Sequence, residues 1–451
     1  MNLTQISKCL SLPHSQDIEI RGFSIDTRQL CPGELFVAIK GATFDGQDFI
    51  SEAVNKGASA VLCRKAVEGL SIPQLIVDDP LQSLVELAKE HRRILKGPVI
   101  ALTGSNGKTS VKEMIAAILP FPSLATKGNL NNHIGVPLSV LRLNASHRYA
   151  VFELGANHAG EIAHTVSIVS PDVALINNIA PAHIEGFGSV AGVARAKGEI
   201  YRGLKPGGTA VVNDDDDYSH FWDESLKDKK VLRFSLTKAA DVYVRHLRFN
   251  EDGIPLFSLI LPGDTIDVKL NVSGEHNVHN ALAAAACCHA VGLSSQDIAR
   301  GLQQFRGVSG RMTYLTGRNN ALVIDDTYNA NLRSTLTALS VLAARKSKRI
   351  FVFGDMGELG QWAEAHHEEV GTAARQLGID KVFTYGNYSA FTRKAFAGPG
   401  QHYSNQEELI SDLLNELDEE TTVLVKGSRS SAMENVVRQL IDHASHSNSR
   451  F

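Results

Sequence analysis

The sequence predicts an α/β protein built from three units: a small mixed α/β unit, a central parallel-sheet unit and a C-terminal doubly wound, Rossmann-like unit. Three observations carry this. The chain has 451 residues, more than one hydrophobic core usually organises. Short apolar strands alternate with helical stretches in two separate series, the pattern of parallel sheets covered by helices. A glycine-rich loop stands between a strand and a helix at the start of the first series.

Composition narrows the class. Hydrophobic residues make up 43% and charged residues 21%, as in an ordinary soluble protein. A net charge of −4 leaves no electrostatic footprint for nucleic acid or anionic lipid. The cysteines (Cys9, Cys31, Cys63, Cys287, Cys288) are odd in number and lack zinc spacing, which points to a reduced compartment. The N-terminal residues lack a signal-peptide pattern, and the apolar run 281–288 is too short to span a membrane. The expectation is a cytoplasmic protein without nucleic-acid or membrane partners.

The first unit, 1–96, has short apolar runs broken by glycine over 18–77 and a helical pattern over 81–95. Lys96-Gly-Pro98 reads as a boundary. The second unit, 97–311, opens with an apolar strand over 99–103. Further strands are expected at 149–154, 173–179 and 209–213, with helices at 111–119, 189–201 and 278–291. Alternating runs over 231–272 predict an antiparallel extension. The third unit, 312–451, carries strands at 322–326, 349–354, 381–386 and 422–427. Ligands of such sheets sit beyond the carboxyl ends of strands, which here read Asp-Asp-Thr-Tyr-Asn, Gly-Asp-Met-Gly-Glu and Lys-Gly-Ser-Arg.

The loop Thr103-Gly-Ser-Asn-Gly-Lys-Thr-Ser110 is the strongest chemical signal. Glycines let the backbone wrap phosphate oxygens with its N–H groups, helped by the helix N-terminus. Lys108 would reach the β- and γ-phosphates, and the Thr109 hydroxyl would hold Mg²⁺. The longer spacing of the usual phosphate loop would need glycine at Leu102; Gly104 gives the shorter Gly-x-x-Gly-Lys-Thr form. A glycine-rich helix cap is the bland alternative, but strand, loop, lysine, hydroxyl and helix all stand in the order nucleotide binding requires.

Weaker signals surround it. Glu153 ends a strand of the same sheet, where its carboxylate would face the loop and serve a hard cation. His183 follows the next strand, and Lys197 lies on the helix after that; each alone is more often a surface residue. The stretch Gly186-Phe-Gly-Ser-Val-Ala191 matches a dinucleotide-binding pattern, but residues 181–185 separate it from the preceding strand. The fingerprint needs its glycines at the strand-to-helix turn, so a glycine-bearing loop before a helix is the better reading.

Together these segments resemble the Mur ligases, across essentially the whole chain. The resemblance rests on the Thr-Gly-Ser-Asn-Gly-Lys-Thr loop, Glu153, His183, Ala-Lys-Gly-Glu199, Gly-Glu-His-Asn-Val-His-Asn280, Gly-Arg311 and Asp-Asp-Thr-Tyr-Asn-Ala-Asn331. It implies an ATP-dependent amide ligase of peptidoglycan precursor synthesis that works as a monomer. Lys108, Glu153, His183 and Lys197 would be its catalytic groups. ATP would be held by Gly104, Ser105, Asn106, Gly107, Lys108, Thr109 and Ser110, and from the unit junction by Asn277, Asn280, Arg311, Asp326 and Asn329. Mg²⁺ would lie on Thr109, Glu153, His183 and a carbamylated Lys197. A UDP-linked substrate would meet Ser24, Asp26, Thr27 and Arg28, with Asn129, Asn131 and Asn132.

Four segments refine the implied substrates: Gly128-Asn-Leu-Asn-Asn-His-Ile-Gly-Val-Pro137, Glu153-Leu-Gly-Ala-Asn-His158, Phe353-Gly-Asp-Met-Gly-Glu-Leu-Gly360 and Val425-Lys-Gly-Ser-Arg-Ser430. They resemble the family member that adds D-alanyl-D-alanine to UDP-N-acetylmuramoyl-tripeptide. The Asp-Asn-Pro-Arg motif usual in the relative that adds diaminopimelate or lysine is missing. One departure stands out: the family often has proline after Asn-Ala-Asn, and this chain has Leu332. The alternatives are a sister Mur ligase with another amino acid, a folylpolyglutamate synthase, or a nucleotide switch without catalysis.

Overall fold

The computed structural model describes residues 1–13, 16–181, 184–251 and 253–441, with Ile184 as backbone only. The first sheet holds β1 (Phe23–Ser24), β2 (Leu35–Val37), β3 (Ala60–Cys63) and β4 (Gln74–Ile76), all parallel and in chain order. The helix Pro80–His91 then leads out of this unit. The Asp79 carboxylate accepts from the Leu81 and Gln82 amides at 2.8 and 3.1 Å, and Pro80 fills the first turn, where its missing N–H costs nothing. Its apolar side (Leu84, Leu87, Ala88) enters a cluster that also contains Val99, Phe152 and Val166. The first and second units therefore share one core. The expected boundary is a tight crossing: a Cβ on Gly97 would stand 1.8 Å from the Arg148 carbonyl oxygen.

The central sheet contains β5 (Val99–Thr103), β6 (Ser123–Ala125), β7 (Tyr149–Glu153), β8 (Val173–Ile176) and β9 (Thr209–Asn213). It continues through β10 (Lys230–Ser235), β11 (Val242–Phe249), β12 (Pro255–Leu261) and β13 (Asp264–Lys269). The nine strands run in the order β13-β12-β11-β10-β9-β8-β5-β7-β6. The antiparallel extension expected over 231–272 begins only at β11 and β12; β10 is parallel to both of its neighbours. β10 and β11 pair only at Phe234↔Val242 and Ser235↔Tyr243, so a short return suffices where a full parallel pair would need a long crossover. β8 stops at Ile176 rather than 179, because Asn177 and Asn178 turn onto the phosphate loop. The helix Glu275–Ala290 covers one face with an almost entirely buried alanine-rich surface that includes Cys287 and Cys288.

The third sheet holds β14 (Thr313–Thr316), β15 (Leu322–Asp326), β16 (Lys348–Gly354), β17 (Lys381–Tyr385), β18 (His402–Tyr403) and β19 (Thr421–Lys426), in the order β14-β15-β19-β16-β17-β18. Only β14 is antiparallel to its neighbour. Alternate strand residues serve opposite faces. Ile324, Phe351 and Phe353 meet the helices Leu332–Ala343 and Ala363–Gln376. Val323, Val352 and Val425 meet Gln406–Leu414 and Glu434–Leu440. The sheet is doubly wound. Among the described residues no helix is long and apolar enough to cross a membrane.

Candidate active site

Backbone conformation builds the phosphate loop. Gly104 (φ +157°) and Gly107 (φ +76°) carry the chain from β5 into the helix Lys108–Ile118. A Cβ on Gly107 would lie 2.5 Å from Asn280 Oδ1 and 2.7 Å from Asn177 Nδ2, so glycine is required there by both conformation and space. The loop is held from outside by the end of β8. The Asn106 N–H donates to Asn178 Oδ1 (2.8 Å), and the Asn106 carbonyl accepts from Asn177 Nδ2 (2.9 Å) and Asn178 Nδ2 (3.1 Å). Ser105, predicted as a nucleotide contact, uses its hydroxyl inside the protein, donating to the Ala180 carbonyl and accepting its N–H.

A cluster of side chains meets at the mouth of this loop. The Thr109 hydroxyl donates to Glu153 Oε2 at 2.9 Å and accepts from Arg311 Nη2 at 2.8 Å. Glu153, 2% exposed, receives Asn131 Nδ2 on its other oxygen at 2.8 Å. The Arg311 guanidinium lies 4.1 Å over the Tyr328 ring, a cation–π seat. Lys108 folds back onto the Gly104 carbonyl (2.7 Å). Burial holds the Lys108 ammonium below its ordinary pKa; the Glu153 charge opposes that shift and the Arg311 charge adds to it.

A cleft of about 1140 Å³ opens between the loop and the third sheet. Asn106, Lys108 and Ser110 line it beside Asn129, Asn131 and Asn132. Across from them stand Asn277 and Asn280 from the helix Glu275–Ala290, Arg311 at the junction of the second and third units, and Asp326 and Asn329 from the third unit. Asn277 donates to the Ser273 carbonyl, and Asn280 accepts from Asn177. Asp326 accepts from the buried Lys426 Nζ at 2.6 Å, which also donates to the Asn329 carbonyl at 2.9 Å. The third unit is seated directly on the loop: Asn331 Nδ2 donates to Asn106 Oδ1 (2.7 Å), and Arg333 donates to the Ile179 carbonyl (3.1 Å).

The remaining expected site residues lie in varied surroundings. Lys197 is 1% exposed, and burial, reinforced by the Lys108 charge, pushes its amine far below the ordinary range. His183 lies outside the described residues. Among the described residues no group of three or more His, Cys, Asp or Glu could hold a metal ion. Ser24, Asp26, Thr27 and Arg28 form a turn at the carboxyl end of β1, away from the cleft lining. There the Arg28 guanidinium, hydrogen-bonded to Asp26, lowers that carboxyl's pKa. Gly186 sits in a short helix, and Ser189 caps the helix Val190–Arg202, so the dinucleotide-like string is a helix start.

Residues not singled out from sequence also clamp the loop or line the cleft. Asn177 and Asn178 lie within the predicted strand 173–179, where nothing in their spacing marks them as loop clamps. Asn331 and Lys426 lie in motifs of the resemblance, and both line the cleft. His279 packs its ring against Phe234, and burial lowers its pKa to about 4, so it faces the cleft as a neutral imidazole. The departure at Leu332 is benign. Asn331 caps the helix Leu332–Ala343 in a capping box with Ser334, and Leu332 takes the first helical position, one that proline or leucine can fill equally.

Unsatisfied groups point to what the cleft lacks. Asn106 Nδ2, Ser273 Oγ and Arg311 Nε are buried without a hydrogen-bond partner, and all three residues line the cleft. Buried polar atoms are normally completed by protein, ordered water or an ion, so these three are free to meet a polar ligand in the cleft. A phosphate loop on a parallel sheet, faced by an arginine, a buried carboxylate and a second doubly wound unit, defines a nucleoside-triphosphate-using enzyme whose site is completed between two units.

Comparison with known proteins fits this class. Family models match in three parts: Mur ligase family, catalytic domain, at 19–92; Mur ligase middle domain at 102–288; and Mur ligase, glutamate ligase domain, at 310–429. The UDP-N-acetylmuramoyl-tripeptide–D-alanyl-D-alanine ligase of Escherichia coli (strain K12) is 46% identical over 429 residues, covering 94% of either chain. The crystal structure of MurF from Acinetobacter baumannii superposes with a TM-score of 0.90 at 36% identity, over 98% of this chain and 99% of that one. MurF ligase from Thermotoga maritima, solved in complex with ADP, gives 0.81 at 27% identity, over 94% and 98%. The chain belongs to the Mur ligase family.

Proposed function

We propose that this enzyme joins D-alanyl-D-alanine to UDP-N-acetylmuramoyl-tripeptide, consuming ATP and releasing ADP and phosphate, as a cytoplasmic monomer. The relatives named for that reaction support the substrates. The observation that carries the chemistry is the Thr109–Glu153–Arg311 cluster at the phosphate loop, facing Asp326 and Asn329 across one cleft.

A carboxylate does not form an amide unaided, because oxide is a poor leaving group. In the proposed reaction the tripeptide's terminal carboxylate oxygen attacks the γ-phosphorus of ATP and ADP leaves. The D-Ala-D-Ala amine then attacks the acyl carbon and phosphate leaves. Lys108 and Arg311 offset the charge of two approaching anions. The turn of Ser24, Asp26, Thr27 and Arg28 would hold the UDP end, away from the reacting carboxylate, which suits a long substrate. Water would be excluded from the acyl phosphate where the third unit covers the loop.

The donor set suits Mg²⁺. Thr109 and Glu153 offer hard oxygens, and His183 and a carbamylated Lys197 would add further ligands. Such a cation takes few protein ligands beside phosphate oxygens, and when bound it would neutralise charge on the transferring phosphoryl group. Burial favours the neutral form of the Lys197 amine, and that is the form of an amine that adds carbon dioxide.

The test is phosphate release with ATP and UDP-MurNAc-tripeptide. D-Ala-D-Ala should support turnover at least a hundredfold better than D-alanine, lysine or diaminopimelate alone, on the order of discrimination available when buried polar groups read a substrate. Equal or greater turnover with a single amino acid would assign a sister ligase. ATP binding without turnover under any acceptor would indicate a nucleotide switch.

A further inference from the structure

The helix Lys108–Ile118 carries a second lysine one turn beyond the loop lysine. Lys112 is 0% exposed and does not line the cleft. Its Nζ donates to the Thr126 carbonyl at 2.8 Å and pairs with the Glu113 carboxylate at 2.5 Å. Thr126, 1% exposed, stands just past β6. Its N–H donates to the Val151 carbonyl at 3.1 Å, and its hydroxyl accepts the Glu153 N–H at 3.0 Å. The chain then turns through Gly128 (φ +57°) to Asn131, whose carboxamide holds Glu153 Oε1 and whose carbonyl accepts the Gly155 N–H at 2.8 Å. One segment, whose first residue is tied to Lys112, thus holds the Glu153 amide, its Oε1 and the Gly155 N–H two residues on, and leaves Oε2 to Thr109.

Burying an ammonium is costly unless it is paired and hydrogen-bonded. A methionine would pack this helix position without that cost, so packing does not account for the lysine. We propose that Lys112 is a positioning residue: it anchors the 126–131 segment to the phosphate-loop helix and thereby sets the Glu153 carboxylate for the metal that accompanies the nucleotide. This rests on reading Glu153 as a metal ligand. Lys112 acts on metal affinity through Thr126 and Asn131, and leaves the direct lysine contact to phosphate with Lys108.

The experiment measures Mn²⁺ affinity by electron paramagnetic resonance, with full-length enzyme and a non-hydrolysable ATP analogue, beside analogue binding in chelator. Lys112→Met should weaken Mn²⁺ binding about 10–100-fold, the usual cost of removing an outer support of a metal ligand. Analogue affinity in chelator should stay within twofold of wild type. Lys112→Arg, which can still donate to the Thr126 carbonyl, should recover most of the loss. Lys112→Met and Asn131→Ala combined should cost less than the sum of the two, as members of one network do. Unchanged Mn²⁺ affinity in a folded Lys112→Met enzyme would overturn the proposal. So would metal-bound and metal-free affinities falling together, which marks a general structural role. Mn²⁺ affinity unaffected by Glu153→Gln would instead remove the reading of Glu153 on which the proposal stands.

Discussion

Lys197 is a buried amine whose pKa is lowered by that burial and, further, by the charge of another lysine, Lys108. Both burial and the like charge disfavour the ammonium, and an ammonium in this place would repel Mg²⁺. A carbamate reverses the sign and presents two oxygens on a long arm. Lys197→Ala should therefore lose nearly all ligase activity and regain part of it with added short carboxylates. Native activity should fall when dissolved carbon dioxide is stripped at mildly acidic pH, where carbamates decompose. Turnover assays with acetate, formate and methylamine decide it: rescue by the amine alone would mean that the site needs a positive charge. The sequence marked Lys197 only through its motif. Its burial follows from the helix Val190–Arg202 packing against the central sheet, and a lone helical lysine gives no sign of that. Lys108 and Thr109 were legible because loop, lysine, hydroxyl and helix are contiguous in the chain.

At the level of elements, local periodicity placed the buried strands well. β5, β9 and β15 have the expected bounds, since short apolar runs between breakers leave little latitude. Pairing was harder to read. β10 looks like part of a meander because its own alternation cannot reveal that it meets β9 in parallel. The clamp of Asn177 and Asn178 on Asn106 was hidden for a similar reason: it joins segments about seventy residues apart. The helix Leu332–Ala343 offers a test of how an element end serves the site. Asn331 caps it with its Oδ1 while its Nδ2 reaches Asn106. Asn331→Ala loses both, so stability should drop by about 1 kcal/mol, lowering Tm by roughly 2–4 °C, and KM for ATP should rise. Asn331→Asp keeps the cap but not the donor. It should melt as wild type while still raising KM for ATP, and calorimetry with initial-rate kinetics separates the two effects. An unchanged KM in both variants would remove Asn331 from the nucleotide site.

Across the whole molecule, the two sheets face each other over one cleft, and each contributes what the other lacks. The central sheet brings the phosphate loop and Glu153, the junction brings Arg311, and the third unit brings Asp326 and Asn329. The first unit shares its core with the second and keeps its Ser24–Arg28 turn apart from the cleft. Sequence order disclosed three units but not this sharing, because the apolar face of the helix Pro80–His91 reads the same whichever core receives it. One proposed step binds these parts together: activation of the tripeptide carboxylate as an acyl phosphate. Its most direct test uses UDP-MurNAc-tripeptide with ¹⁸O in the terminal carboxylate, incubated with ATP and D-Ala-D-Ala, followed by mass spectrometry of every product. The account predicts ADP as the nucleotide product and one ¹⁸O atom carried into each phosphate released. Label recovered in AMP, or phosphate released without label in step with the pentapeptide product, would contradict it.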